Sequence, residues 1–314
     1  MNNLPMCGSC KRIEKMNSYY FKSDDIRNDE TAFAKYYELD NYKVIDNECS
    51  GNKCIVFFSA IAFYFASSDA EAKQLLIDDD IYEWQNIAKS KMIKNYYSRV
   101  IFVRDVLKNW YIRGINNRVN TQDKVCELLQ NITEGYEVYT CGSSAGGYGA
   151  VLYGCLLNAK AIYSFSGQFD ISVNNKYWNN VFLNDNGKNN DYKYFNLIDL
   201  VRDFKNMIFY FYPQSVKDKY DYELISGEKA VVVGLRIVSL KSLSHADTLI
   251  GANFPYVLTM DIKKLGDLAM KNERKCMHKV LFFWKTAGVR SLVPCFKYIL
   301  GRLWIRIRKI NIKK

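Results

Sequence analysis

Chemistry first becomes legible in this sequence at one serine set among small residues, in the run Gly142-Ser143-Ser144-Ala145-Gly146-Gly147. Tyr136–Cys141 before it reads as a strand, and Ala145–Leu157 after it, rich in small and apolar residues, reads as a buried helix. Gly-x-Ser-x-Gly between a strand and a helix has a physical purpose. A sharp turn lifts the hydroxyl of Ser144 above the sheet, and glycines two before and two after it leave room for the strained backbone. The N–H of Ala145, at the helix start, points where an oxygen becomes negative during acyl transfer. The same run lacks Gly-Lys-Ser/Thr and the Gly-x-Gly-x-x-Gly spacing, which sets aside a P-loop and a dinucleotide fingerprint.

A serine nucleophile needs a base, and the chain has two histidines. His278 lies in a basic C-terminal region, whereas His245 follows the strand-like run Leu235–Leu240 in Ser-Leu-Ser-His-Ala-Asp. His245 is therefore the expected base, in the chain order serine, acid, histidine. The acid should follow the preceding strand, Met207–Tyr212, where two carboxylates fit. Asp221 opens a segment of helical spacing and is preferred; Asp218, nearer the strand end, is the alternative. A second oxyanion donor is expected from the loop Phe57-Phe58-Ser59-Ala60-Ile61, as the N–H of Ala60 or Ile61. In Val103–Tyr111 a strand ends in charge and aromatics on the side of the site, so Asp105, Trp110 and Tyr111 are candidates to bind a sugar, against the alternative of an amphipathic core edge.

The elements that must position these residues alternate between short β-branched or aromatic runs and helix-patterned segments. The runs are Lys43–Asp46, Cys54–Phe63, Arg99–Val106, Tyr136–Cys141, Ala159–Phe165, Met207–Tyr212 and Leu235–Leu240. Asp69–Tyr96 and Thr121–Asn131 carry helical periodicity, and the polar stretch Asn174–Tyr194 reads as a long loop or cap. This is the pattern of an α/β domain on a mostly parallel sheet. It spans residues 41–270, between an N-terminal extension (1–40) and a basic C-terminal tail (271–314).

Taken together, the Gly-Ser-Ser-Ala-Gly-Gly turn, the Arg104-Asp105…Trp110-Tyr111 segment, the Tyr212-Pro213…Asp221 loop and the Ser244-His245 loop resemble α/β-hydrolase-fold proteins of bacterial surface-polysaccharide gene clusters. Some of these are similar to capsule polysaccharide O-acetyltransferases. The resemblance covers about residues 40–260. It implies an α/β-hydrolase fold with helices on both faces of the sheet, the triad Ser144, Asp221 and His245, and acyl transfer from acetyl-CoA to a capsular or lipopolysaccharide glycan. An ester hydrolase with the same triad is the alternative. A third reading, from a different class, is a non-catalytic module that binds an acidic partner through its tail.

Charge is distributed unevenly. The formal net charge is +11, yet twelve Lys or Arg and no Asp or Glu lie between Arg274 and Lys314, so residues 1–273 balance to −1. A neutral body with a basic appendage, and no RNA-binding motif, argues against nucleic acid as partner. Phe296, Ile299, Leu300, Leu303, Ile307 and Ile310 recur at helical spacing among the basic residues, a pattern that suits either an anionic membrane surface or docking on the domain. The nine cysteines are scattered without a framework spacing, which suits reduced thiols in a cytoplasmic protein, peripheral at the membrane if the tail binds it. Cys7-Gly-Ser-Cys10 with Cys49 and Cys54 has the wrong loop length for a zinc ribbon, so no metal is expected.

Overall fold

The computed structural model describes residues 35–61, 68–172, 193–242, 244–272 and 275–311, with the side chains of 303 and 305–311 excepted. All seven strand-like runs form strands: β1 (Tyr42–Asp46), β2 (Lys53–Phe58), β3 (Arg99–Val103), β4 (Glu137–Ser143), β5 (Ala161–Phe165), β6 (Met207–Pro213) and β7 (Leu235–Leu240). They make one sheet in the order β1-β3-β2-β4-β5-β6-β7, in which β1 runs antiparallel to β3 and every other neighbouring pair is parallel. The helices are α1 (Asp69–Lys73), α2 (Gln85–Ala88), α3 (Lys91–Tyr96), α4 (Gln122–Ile132), α5 (Ala145–Leu156), α6 (Ile198–Asp203), α7 (Lys219–Gly227), α8 (Phe254–Leu258), α9 (Ile262–Lys271), α10 (Lys279–Ala287) and α11 (Leu292–Asn311).

Successive residues of a strand point to opposite faces, so a sheet covered on both sides needs apolar residues at every position. β2 does this: Cys54, Val56 and Phe58 join a core with Val125 and Leu129 of α4 and with α5, while Ile55 and Phe57 join a second core with Trp84, Ile93, Leu258 and Leu265. In β6 the same division sends Ile208 and Tyr210 one way and Phe209 and Phe211 the other. Two layers of helix sandwich one sheet.

The helical periodicity of Asp69–Tyr96 takes the form of three short α-helices and a π turn (Gln74–Asp78). Asp80 and Trp84 sit at φ 40° and 75°, a left-handed backbone that breaks the helical path. The body also extends past residue 270. Met277 pairs with Leu240 in a parallel bridge, and Phe282 of α10 is fully buried in the second core. At the other end Tyr36, with no exposed surface, packs against Leu75, Leu76 and Val106. The 174–194 insert lies almost wholly outside the described residues, as do Cys7 and Cys10.

Candidate active site

The turn between β4 and α5 is built as its residues require. Ser144 adopts φ 54°, ψ −121°, a conformation rare for a residue with a side chain. It is locked from both sides, its N–H donating to Phe165 O at 2.9 Å and its carbonyl accepting from Tyr148 N at 3.1 Å. The flanking glycines are sterically obligatory. A Cβ on Gly142 would meet Gly146 O at 2.0 Å, and one on Gly146 would meet Phe58 O at 2.2 Å. Without a Cβ, Gly146 lets the β2 loop at Phe58 approach the elbow closely.

Ser144 follows β4, Asp218 follows β6 and His245 follows β7, so all three reach the carboxyl ends of parallel strands, where open α/β sheets place their sites. There they meet. Ser144 Oγ lies 2.7 Å from His245 Nε2, and His245 Nδ1 lies 2.8 Å from Asp218 Oδ1. With Nδ1–H donating to the carboxylate, Nε2 is left to accept the serine proton. The Asp218 side chain is 2% exposed, and its second oxygen accepts from the Ser215 hydroxyl, so both oxygens are held. The histidine loop is pinned as well: Ala246 N donates to Ser166 Oγ at 3.2 Å, Ser242 Oγ donates to Asp247, and Asp247 pairs with the buried Lys279. The nucleophile elbow at the carboxyl end of a parallel sheet, with acid and histidine on the two strands that end the sheet, decides the fold. It is an α/β-hydrolase fold.

No protein-family model matches the chain, and no curated protein sequence matches it. Solved structures of the same fold class do. The chain is similar to the capsule O-acetyltransferase of Neisseria meningitidis serogroup A, at 16% identity and a TM-score of 0.48, over 72% of this chain and 93% of that one. Another structure of that enzyme, a mutant in complex with CoA, gives 17% identity and 0.45, over 67% and 86%. Est1E from Butyrivibrio proteoclasticus gives 9% and 0.40, over 74% and 94%. Strand order and elbow, rather than these likenesses, carry the fold.

The α/β-hydrolase site corrects three sequence expectations. Asp221, preferred as the acid, sits one helical turn beyond Asp218 on α7, and its Oδ1 accepts from Phe169 N at 2.7 Å. It fastens the loop after β5. Burial raises its pKa to about 6, against the pull of that hydrogen bond. The physical reason is reach: β6 runs on through Pro213, and the tight Ser215–Asp218 turn delivers the nearer carboxylate to the imidazole.

Asp105 and Tyr111, proposed as sugar contacts, face inward. Asp105 is 3% exposed, and its Oδ2 accepts from Asn109 N at 2.7 Å and Tyr111 N at 3.0 Å, bracing a loop in which Lys108, Trp110 and Tyr111 all have positive φ. Tyr111 has no exposed surface, and its hydroxyl donates to Ser59 O at 2.8 Å. Both residues build the wall behind the β2 loop. Trp110 alone is part-exposed, and its indole donates to Gln168 Oε1 at 3.1 Å.

The third correction concerns the oxyanion donors. Ala60 N–H, expected to face the developing charge, donates to Glu83 Oε2 at 2.5 Å. Burial raises the Glu83 carboxyl to about 8, with the Ala60 hydrogen bond pulling the other way. The neighbouring Trp84 indole donates to Phe58 O at 3.1 Å, so the Tyr82–Trp84 segment grips the loop at two points. Nothing in the local sequence signals Glu83, because its partner Ala60 lies 23 residues away and meets it only in the fold. Ala145 opens α5 and is 1% exposed, at the helix end where partial positive charge collects. Ile61 is part-buried and is the last described residue before 62–67. Among the described residues no cluster of three or more His, Cys, Asp or Glu could hold a metal ion.

Proposed function

We propose that the protein acylates Ser144 and passes the acyl group to a hydroxyl, with acetyl-CoA as donor and a bacterial capsular or lipopolysaccharide glycan as acceptor. The acyl-serine chemistry rests on one observation, the unbroken relay from Ser144 Oγ through His245 to Asp218 at 2.7 and 2.8 Å. Ser144 Oγ attacks the thioester carbonyl carbon as its proton passes to His245 Nε2. Ala145 N–H faces the tetrahedral oxyanion, and Asp218 stabilises the imidazolium. Collapse breaks the C–S bond, and the thiolate leaves with the proton from His245. An acceptor hydroxyl then attacks the acetyl-serine, its proton going to Nε2 and on to Ser144 Oγ as the ester C–O bond breaks.

The glycan acceptor and acetyl-CoA are supported by the sequence resemblance of the segments around Ser144, Trp110, Asp218 and His245. Water in place of the sugar would make the same site an esterase, because acceptor choice depends on how far water is excluded from the acyl-enzyme. Mass spectrometry of the protein mixed with acetyl-CoA tests the reading. An acetyl adduct on the Ser144 peptide, discharged faster by glycan than by buffer, is the expected result. An adduct formed from aryl acetates but never from acetyl-CoA would assign the site to ester hydrolysis. Absence of any adduct with either donor would overturn the acyl-serine reading.

A further inference from the structure

The α10–α11 hairpin docks on the domain along a narrow seam. Phe283 is fully buried and Cys295 is 6% exposed; they pack with Ile250, and Val280, Ala287 and Tyr298 complete the contact. On α11 that seam is Cys295 and Tyr298, three residues apart on one helix face, continued by the buried Ser291 in the 3-10 turn just before the helix. Leu292, Phe296, Ile299 and Leu300 form a second apolar face about a third of a turn away. They are 57%, 62%, 43% and 48% exposed, and nothing among the described residues covers them. In sequence Leu303, Ile307 and Ile310 continue their spacing. Leu281 and Trp284 on α10 and Trp304 on α11 are also about half exposed.

The charge around this face has one sign. Lys285, Arg290, Lys297 and Arg302 are exposed, and no Asp or Glu occurs from Arg274 to the end. A second copy of the chain meeting this face across a two-fold axis would bring like charges together. An anionic lipid surface would neutralise them, while the apolar stripe and the two tryptophans entered the headgroup boundary. No helix among the described residues is long and apolar enough to cross a membrane.

We propose that the α10–α11 face docks this protein on an anionic bilayer surface, independently of the chemistry at Ser144. The hairpin is tied to the catalytic loop itself, since Lys279 pairs with Asp247 two residues from His245, and Thr286 Oγ1 donates to Asn253 Oδ1 at 2.7 Å.

Co-sedimentation of the full chain with vesicles of one part phosphatidylglycerol to two parts phosphatidylcholine tests the proposal. Binding should be strong at low salt, fade as ionic strength rises, and be absent on pure phosphatidylcholine. Lys297→Gln and Arg302→Gln should each weaken partition about fivefold. Phe296→Ser with Leu300→Ser should weaken it further without lowering the melting temperature, since both side chains are exposed. Failure of the full chain to bind the anionic vesicles at low salt overturns the proposal. So does partition unchanged by all four substitutions, or a dimer in lipid-free solution that the Phe296/Leu300 pair dissociates, which would assign the face to a second copy.

Discussion

Around Ser144 the molecule answers its own demands, whereas along α11 it leaves them open. Each group that shapes the elbow has a partner inside the fold: Ser144 N on Phe165 O, Asp218 on both His245 and Ser215, Ser59 O on the Tyr111 hydroxyl. On α11 large apolar side chains stand in solvent beside lysines and arginines. A strained serine at φ 54° persists only where its surroundings over-determine it, and a large exposed apolar stripe marks a surface for interaction. The relay around Ser144 is thus held by contacts within the fold, whereas the outer face of α11 carries the docking proposed above. Substitutions in the two regions should separate cleanly.

The largest effect is expected at the relay. Ser144→Ala and His245→Ala should each lower turnover on an activated acetyl ester by about 10⁵-fold or more, with the fold intact by circular dichroism. His278→Ala is the contrast, because His278 caps α10 by accepting from Val280 N. Its loss should cost about 1 kcal/mol of stability and leave turnover alone. Turnover lost at His278 and kept at His245 would move the active site.

The next effect separates two carboxylates one helical turn apart. Asp218→Asn should cost about 10⁴-fold in kcat, since the amide no longer orients and stabilises the imidazolium. Asp221→Asn keeps an oxygen for Phe169 N and should change kcat by no more than a few-fold. Equal losses would show that the β5 loop, and not the acid alone, sets the geometry.

A smaller effect follows from the carboxyls buried around the site. Glu83 is raised from 4.5 to about 8, and Asp105 and Asp221 from 3.8 to about 6, each chiefly by burial. The folded state holds these protons more tightly than the unfolded chain. Their contribution to stability is therefore full below the unfolded values and is lost as pH rises through about 6 for the aspartates and about 8 for Glu83. Glu83→Gln keeps an acceptor for Ala60 N–H but cannot ionise, so its melting temperature should fall less than the parent's between pH 6 and 8. Identical pH dependence in parent and variant would remove Glu83 as the titrating group.

The smallest effect should come from the outer face of α11. Phe296→Ser with Leu300→Ser should leave turnover on a soluble ester unchanged and shift stability by no more than about 0.5 kcal/mol. A large loss of either would mean that this face is part of the domain's own packing.

The strands, the serine at the elbow and the histidine that meets it were all legible in the sequence, because each is set by a local rule. A buried parallel strand must be apolar at successive positions, as in Cys54–Phe58, and an elbow must have glycines at both flanks of Ser144, since a Cβ there collides with backbone. With two histidines in the chain, position after β7 was enough to select His245. What only the tertiary structure decided is which of several suitable groups is already engaged by residues distant in the chain. Phe169 N claims Asp221 and leaves Asp218 for the histidine, Glu83 takes the Ala60 N–H, and Asp105 and Tyr111 turn inward to hold the loops behind the serine. Helical periodicity in the tail shows that an apolar face exists. Only packing at Cys295 and Tyr298 shows that the domain holds a different one, because a helix buries the face its neighbours can reach.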